Sequence, residues 1–264
     1  MDLQLKEKIA LVTGSTTGIG FAVAKSLAGE GAKVIVNGRS QGRVDEAIEQ
    51  IKKETGNQNI TGAVADFADV EQLEEMVKQH PVVNILINNV GIAAPKEFKD
   101  ISDKEWFDIY NINVLSGVRL SRAYFDNMLE DNWGRIVFIS SESAVQIPAE
   151  MIQYGVSKTA QSALSRGLAE LTVGTGVTVN TVLPGPTSTE AILKFIKEIA
   201  DQQGISVEEM EKEFFSSIRG SSLLKRFIKP EEIANMVTFI ASPLSSATNG
   251  SAIRADGGVI KSVF

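Results

Sequence analysis

Short, almost uniformly apolar runs alternate with longer amphipathic stretches along most of the chain. The apolar runs are Ile9–Thr13, Lys33–Asn37, Ile60–Ala65, Val83–Asn88, Arg135–Ser140, Val177–Leu183 and Ala252–Ala255. Their length suits strands, and their lack of a polar face suits strands covered by helices on both sides. The stretches between them include Phe21–Glu30, Gln41–Glu54, Val70–Gln79, Asp103–Glu130 and Ile152–Thr172, all with helical periodicity. Repeated strand–helix units of this kind predict an α/β fold with a doubly wound parallel sheet, which binds ligands at the carboxyl ends of its strands. No linker or internal repeat divides the 264 residues, so a single domain over 1–264 is expected. The alternation fails once. Residues 188–227 hold no strand, only two amphipathic helical stretches rich in Ile, Leu and Phe and interrupted by Gly204 and Gly220. A helical insertion beside the ligand edge, acting as a substrate lid, is expected there. Extra packing or an oligomer contact is the plainer alternative.

Composition narrows the functions open to such a fold. The net charge of −7 argues against nucleic acid, whose phosphates require a concentrated basic surface. No run of about 18 apolar residues occurs, so no membrane-spanning helix is expected. The start, MDLQLKEKIALVTG, lacks the pattern of a signal peptide. With no cysteine, disulfide and thiol chemistry are excluded and a cytoplasmic location is expected. His80 is the single histidine and precedes Pro81, which suits a helix C-terminus better than a metal site or a Ser-His-Asp triad. No metal is expected.

The first strand runs directly into Thr13-Gly14-Ser15-Thr16-Thr17-Gly18-Ile19-Gly20, and a helix follows. Glycine permits the sharp bend and the close approach of a pyrophosphate, and the helix offers unpaired N–H groups to it. Placed at this point, the turn predicts a Rossmann-type dinucleotide site. The second strand ends in Asn37-Gly38-Arg39-Ser40. A carboxylate there would bond a free ribose 2′-hydroxyl, whereas a guanidinium suits a 2′-phosphate. The acid is missing and Arg39 is present, so NADP(H) is favoured over NAD(H). Asp66 after the third strand can accept from the adenine amino group. Asn88-Asn89-Val90-Gly91 after the fourth forms a small-residue turn along the adenosine.

Tyr154-Gly155-Val156-Ser157-Lys158 places a phenol and an ammonium on one helix face. A nearby cation is expected to lower the phenol pKa from about 10 and ready it for proton exchange. The glycine turn, the Asn88–Gly91 turn, Ser140-Ser141 and Tyr154-x-x-x-Lys158 occur in order, joined by Asn113, by Asn180 before Pro184-Gly185, and by Asp256-Gly257-Gly258. Over nearly the whole chain this series resembles the short-chain dehydrogenase/reductase family, in its shorter single-domain branch.

The resemblance implies hydride transfer between nicotinamide and a carbonyl or secondary alcohol. It gives Tyr154 the role of general acid or base. Lys158 would lower the tyrosine pKa and hold the nicotinamide ribose, and Ser141 would orient the carbonyl. Asn113 would hold a relay water behind Lys158, while Pro184, Gly185 and Thr187 or Thr189 would border the nicotinamide. Three positions depart from the family pattern: Val90 replaces an alanine, and Thr17 stands where many NADP users have a basic residue. Phosphate recognition then falls to Arg39 and Ser15. The third, Arg254-Ala255, occupies an apolar strand, where a buried arginine would need a partner.

The segment after Ser141 (Ala144, Val145, Ile147, Pro148, Met151) and the apolar lid predict a small carbonyl or alcohol substrate with an apolar body. A 3-oxoacyl-carrier-protein reductase is the alternative, supported by Arg119–Arg122 but lacking a second basic site in Leu168–Gly174. A non-catalytic NADP(H) sensor is a further alternative, at odds with the retained Asn113, Ser141, Tyr154 and Lys158. Apolar positions on more than one side of Asp103–Glu130 and Ile152–Thr172, and the tail Val259–Phe264, predict a homotetramer or homodimer with two-fold interfaces.

Overall fold

The computed structural model describes residues 2–263. Seven parallel strands form one sheet in the order β3-β2-β1-β4-β5-β6-β7. They are β1 Ile9–Val12, β2 Lys33–Gly38, β3 Ile60–Val64, β4 Ile85–Asn88, β5 Gly134–Ile139, β6 Val177–Pro184 and β7 Ala252–Ala255. Each coincides with a predicted run to within one or two residues. β4, β5 and β6 are buried along their whole length, as helices on both faces require.

The helices divide the core in two. On one face α1 Gly18–Gly29, α2 Gln41–Thr55 and α9 Pro230–Ile240 pack Val23, Leu27, Ile51 and Val237 against Val12, Val36 and Val182. On the other, α3 Val70–Gln79, α5 Ser116–Glu130 and α6 Ile152–Glu170 contribute Leu73, Leu120, Tyr124 and Ala169 against Leu11, Leu86 and Phe138. Strand order reverses between β1 and β4, the crevice in which an open α/β sheet binds its ligand.

The helix predicted over Asp103–Glu130 is interrupted. α4 Asp103–Tyr110 and α5 are joined by a π-helical segment, Asn111–Leu115. His80 caps α3 at its C-terminus, as expected, and burial lowers its imidazole pKa.

Residues 188–227 contain α7 Glu190–Gln203 and α8 Val207–Glu213, followed by a π segment Phe214–Ile218. Gly204 ends α7 with φ +69°, a left-handed conformation suited to glycine. The insertion leaves and rejoins the body at one place, where Ser188 N donates to Ile228 O and Ile228 N to Pro186 O. It carries its own small core of Ile196, Ala200, Met210, Phe215 and Phe227. Arg254 is only partly buried and donates to the carbonyls of Ser262 and Val263 at 2.6 and 2.8 Å. The expectation of a buried arginine is thus corrected: the strand lies at the sheet edge and the adjoining tail accepts its hydrogen bonds. Phe264, the apolar end of that tail, lies outside the described residues.

Candidate active site

The glycine turn is held open by backbone geometry. Gly14 and Gly18 have φ +59° and +60°, and a Cβ on Gly20 would collide with the Gly14 carbonyl. Asn37 fastens the turn by accepting from Gly14 N (2.9 Å) and donating to the carbonyls of Ala63 and Ala65. Asn89 fastens it from the other side, donating to the carbonyls of Thr13 and Gly14. Thr17 precedes α1 without a side-chain cap, whereas α3, α4 and α8 are capped by Asp69, Ser102 and Ser206. The first N–H groups of α1, from Gly18, Ile19 and Gly20, are therefore left for an anion.

Arg39 lies exposed just beyond β2 and makes no hydrogen bond or ion pair among the described residues. Ser15 does not join it. Its side chain is fully buried, with Oγ donating to Val12 O and accepting from Asn37 N, so its hydroxyl has no reach toward a phosphate. Asp66, partly buried after β3, uses Oδ1 to accept from Ala68 N. Above the turn, Thr189 caps α7 and packs its methyl against Gly18. The Thr187 hydroxyl donates to Gly185 O, and a side chain on Gly185 would strike the Asp256 carbonyl. The Pro184–Thr189 segment thus lies over the crevice beside the glycine turn.

The candidate catalytic groups gather where β5 meets α6. Ser141 follows β5 beside the Tyr154 phenol, whose pKa it pulls down. Tyr154 stands in the first turn of α6, with Lys158 one turn later, its Nζ 5.6 Å from the centre of the Tyr154 ring. Lys158 is buried and donates to Ile139 O at 2.9 Å and Gln161 Oε1 at 3.0 Å. Gly91 forms the wall beside it, since an added Cβ would come within 3.1 Å of Nζ.

Asn113 sits in the π segment, where wider winding disturbs the helical bonding of backbone carbonyls. Its carbonyl accepts from Gln161 Nε2, and its side chain exchanges hydrogen bonds with the Ile92 backbone and donates to Ser157 Oγ. Gln161 thus bridges the Asn113 carbonyl and the Lys158 ammonium.

Burial raises the Tyr154 pKa to about 12, opposed by the Ser141 hydrogen bond and Arg219, and reinforced by the Glu142 charge. The Lys158 ammonium, 5.6 Å from the centre of the Tyr154 ring, donates to Ile139 O and Gln161 Oε1. Burial brings the lysine's own pKa down to about 7. At neutral pH the phenol thus keeps its proton, beside an amine that titrates in that range.

Three residues of this site escaped the sequence reading. Gln161 could have been found from its i+3 spacing to Lys158. Glu142 could have been found as a lone carboxylate in an otherwise small and apolar stretch. Arg219 reaches Glu142 across 77 positions, with Nε 3.0 Å from Oε1, and had no local signal. The predicted apolar wall is correspondingly mixed: Val145 and Ile147 are exposed, while buried Glu142 stands among its residues.

A glycine turn before an open helix end, a Ser-Tyr-Lys cluster and a parallel sheet with a switch point define a nicotinamide-dependent oxidoreductase. The sequence model of the short chain dehydrogenase family matches residues 8–199. The chain belongs to the short-chain dehydrogenase/reductase family. It is 48% identical over 264 residues to the uncharacterized oxidoreductase YvaG of Bacillus subtilis, covering 100% of both chains. It is 31% identical to the 3-oxoacyl-[acyl-carrier-protein] reductase of Aquifex aeolicus, covering 98% of this chain and 100% of that one. The crystal structure of L-sorbose reductase from Gluconobacter frateurii, complexed with NADPH and L-sorbose, superposes with a TM-score of 0.93 at 29% identity and covers 100% of both chains. Among the described residues, no helix is long and apolar enough to cross a membrane.

Proposed function

We propose that the protein is an NADPH-dependent carbonyl reductase in which Tyr154 supplies the proton. The observation carrying this reading is the meeting of Ser141, Tyr154 and Lys158 at one end of the crevice, linked through Gly91 and Asn89 to the glycine turn. The residues present fit the cofactor. The N–H groups of Gly18, Ile19 and Gly20, with Gly14 and Thr17, would hold the pyrophosphate, and Arg39 the 2′-phosphate. Asp66, Asn89 and Gly91 would border the adenosine. Tyr154 and Lys158 would meet the ribose, while Pro184, Gly185, Thr187 and Thr189 would meet the carboxamide. When bound, the nicotinamide supplies the hydride.

The rest of the chemistry belongs to the chain. Ser141 Oγ lies within reach of the Tyr154 phenol, so a carbonyl oxygen held between them receives two hydrogen bonds as it gains charge. The Ser141 hydroxyl is turned to Glu142 Oε2 at 2.5 Å and rotates about one bond to serve the substrate. Tyr154 then gives up its proton. Lys158, brought to about pH 7 by burial, is matched to return one.

A carrier-protein substrate fits less well, because Arg119 is partly buried and donates to Asn111 Oδ1 at 2.9 Å. For assembly, the proposal is a homotetramer, or failing that a dimer. Phe107 on α4 and Leu171 and Val173 beyond α6 are 74%, 63% and 81% exposed, and association would cover them. The functional test is NADPH absorbance with a panel of aldehydes and ketones. Turnover is expected, and binding of NADPH without any turnover would instead favour a sensor.

A further inference from the structure

The cavity between the lid and the loop after β5 carries charge that hydride transfer does not use. Glu142 directly follows Ser141 and is 5% exposed. Its Oε2 accepts from Ser141 Oγ, Ser143 N and Ser143 Oγ, and its Oε1 accepts from Arg219 Nε at 3.0 Å. Arg219 descends from the lid just after the Phe214–Ile218 segment, with its side chain 11% exposed. Its Nη1 lies 3.7 Å from Glu150 Oε1. The hydrogen bond from Ser141 Oγ to Glu142 Oε2 places the pair next to the Ser141–Tyr154 cluster. Next to them opens a cavity of about 360 Å³ lined by Gln146, Ile147, Pro148, Glu150, Ile218 and Arg219.

Three kinds of substrate body meet this wall differently. An apolar body would cover the Arg219 Nη2 group, which makes no hydrogen bond among the described residues, and would leave its donors buried and unpaired. An anionic body would face one guanidinium already matched by two carboxylates. Half-exposed Glu150 counts for less than Glu142, yet the local balance stays at or below zero and offers an anion no net attraction. Drawing Arg219 onto a substrate carboxylate would also strand buried Glu142. A hydroxyl both donates and accepts. It can take an N–H from Arg219 Nη2 and give its own hydrogen to Glu150 or to the remaining lone pair of Glu142 Oε1.

We propose that this cavity is a hydroxyl-binding subsite, and that the substrate is a neutral polyhydroxylated carbonyl compound such as a ketose. The inference rests on the carbonyl-reductase reading of the same site. In the reaction, the carbonyl carbon gains a hydride from NADPH and the oxygen gains the Tyr154 proton, giving a polyol and NADP⁺. The tyrosine is reprotonated from solvent by way of Lys158. Arg219 and Glu142 bind the hydroxyls next to the carbonyl, so closure of the lid and recognition of the substrate use the same ion pair.

The test compares initial rates of NADPH oxidation with D-fructose, 5-keto-D-gluconate and 2-octanone. The expected kcat/KM for fructose exceeds that for either other probe by about tenfold or more. Arg219→Met is expected to lower the fructose-to-octanone ratio at least tenfold, mainly through the KM for fructose. Glu150→Gln, at a half-exposed position that tolerates substitution, is expected to raise the keto-gluconate-to-fructose ratio on the order of threefold to tenfold. Preference for 2-octanone or keto-gluconate, or equal losses on all probes in Arg219→Met, would overturn the subsite while leaving a carbonyl reductase. No turnover of any probe, and none of sorbitol with NADP⁺, would overturn both.

Discussion

Strand β5 buries a cation at each end, and the two are treated differently. At its amino end the Arg135 guanidinium donates from Nε to Ser242 O and from Nη1 to the carbonyls of Gly134 and Gly176, with the Trp133 ring 4.8 Å away. At its carboxyl end the Lys158 ammonium donates to Ile139 O and Gln161 Oε1. Neither has a carboxylate partner among the described residues, and burial lowers both pKa values, to about 10 for Arg135 and about 7 for Lys158. A delocalised fork spreads its charge over three carbonyls and a ring and stays protonated, so Arg135 joins strand ends. A compact ammonium with two acceptors falls into the working pH range, so Lys158 can exchange a proton. The same burial yields structure at one edge of the sheet and chemistry at the other.

Substitutions can break this contrast. Lys158→Ala is expected to cut kcat/KM for carbonyl reduction about 10²- to 10⁴-fold and to weaken NADPH binding as well. A loss confined to kcat would remove its ribose contact from the account. Arg135→Met is expected to leave kcat per folded molecule near wild type while costing about 3 kcal/mol of stability, because three carbonyls lose their donor. Urea denaturation alongside steady-state rates separates the two effects. Arg39→Ala is expected to lower kcat/KM with NADPH about tenfold or more and to spare NADH, since a guanidinium–phosphate contact is worth roughly 1.5–3 kcal/mol. Equal losses with both cofactors would make Arg39 structural.

Smaller effects sharpen the role of Lys158. Below about pH 7 the lysine is charged in both folded and unfolded chains, and its full burial cost opposes folding. Between about 7 and 10.4 only the unfolded chain keeps the proton, so this cost fades as pH rises. Lys158→Met is therefore expected to improve stability relative to wild type more at pH 6 than at pH 10, and thermal melts across that range check it. Gln161→Leu removes an acceptor and should move the Lys158-controlled limb of the rate profile to lower pH. Gln161→Glu should move it higher, by supplying a carboxylate.

The sheet was legible because each buried strand is written as a local apolar run, and the glycine turn and Tyr154–Lys158 because their spacing is itself the geometry. The π segment at Asn111–Leu115 was not legible, since Asp103–Glu130 keeps helical periodicity through it. Helix α9 was missed for a related reason: its mostly apolar Pro230–Ile240 stretch lacks a clear polar face. Ser15 misled because a motif position says nothing about which way a hydroxyl turns. Gln161 lies within one helical turn of Lys158, but a neutral amide carries no charge pattern to mark it as the ammonium's partner. The Glu142–Arg219 pair joins residues 77 positions apart through tertiary packing, which no local pattern encodes.

The most direct measurement of the central claim is the turnover of Tyr154→Phe with NADPH and a carbonyl substrate, beside its NADPH dissociation constant by fluorescence. Removing the phenol proton and keeping the ring is expected to lower kcat on the order of 10³-fold, with NADPH affinity within about twofold of wild type. Activity within a few-fold of wild type would show that the proton comes from elsewhere and would contradict the account.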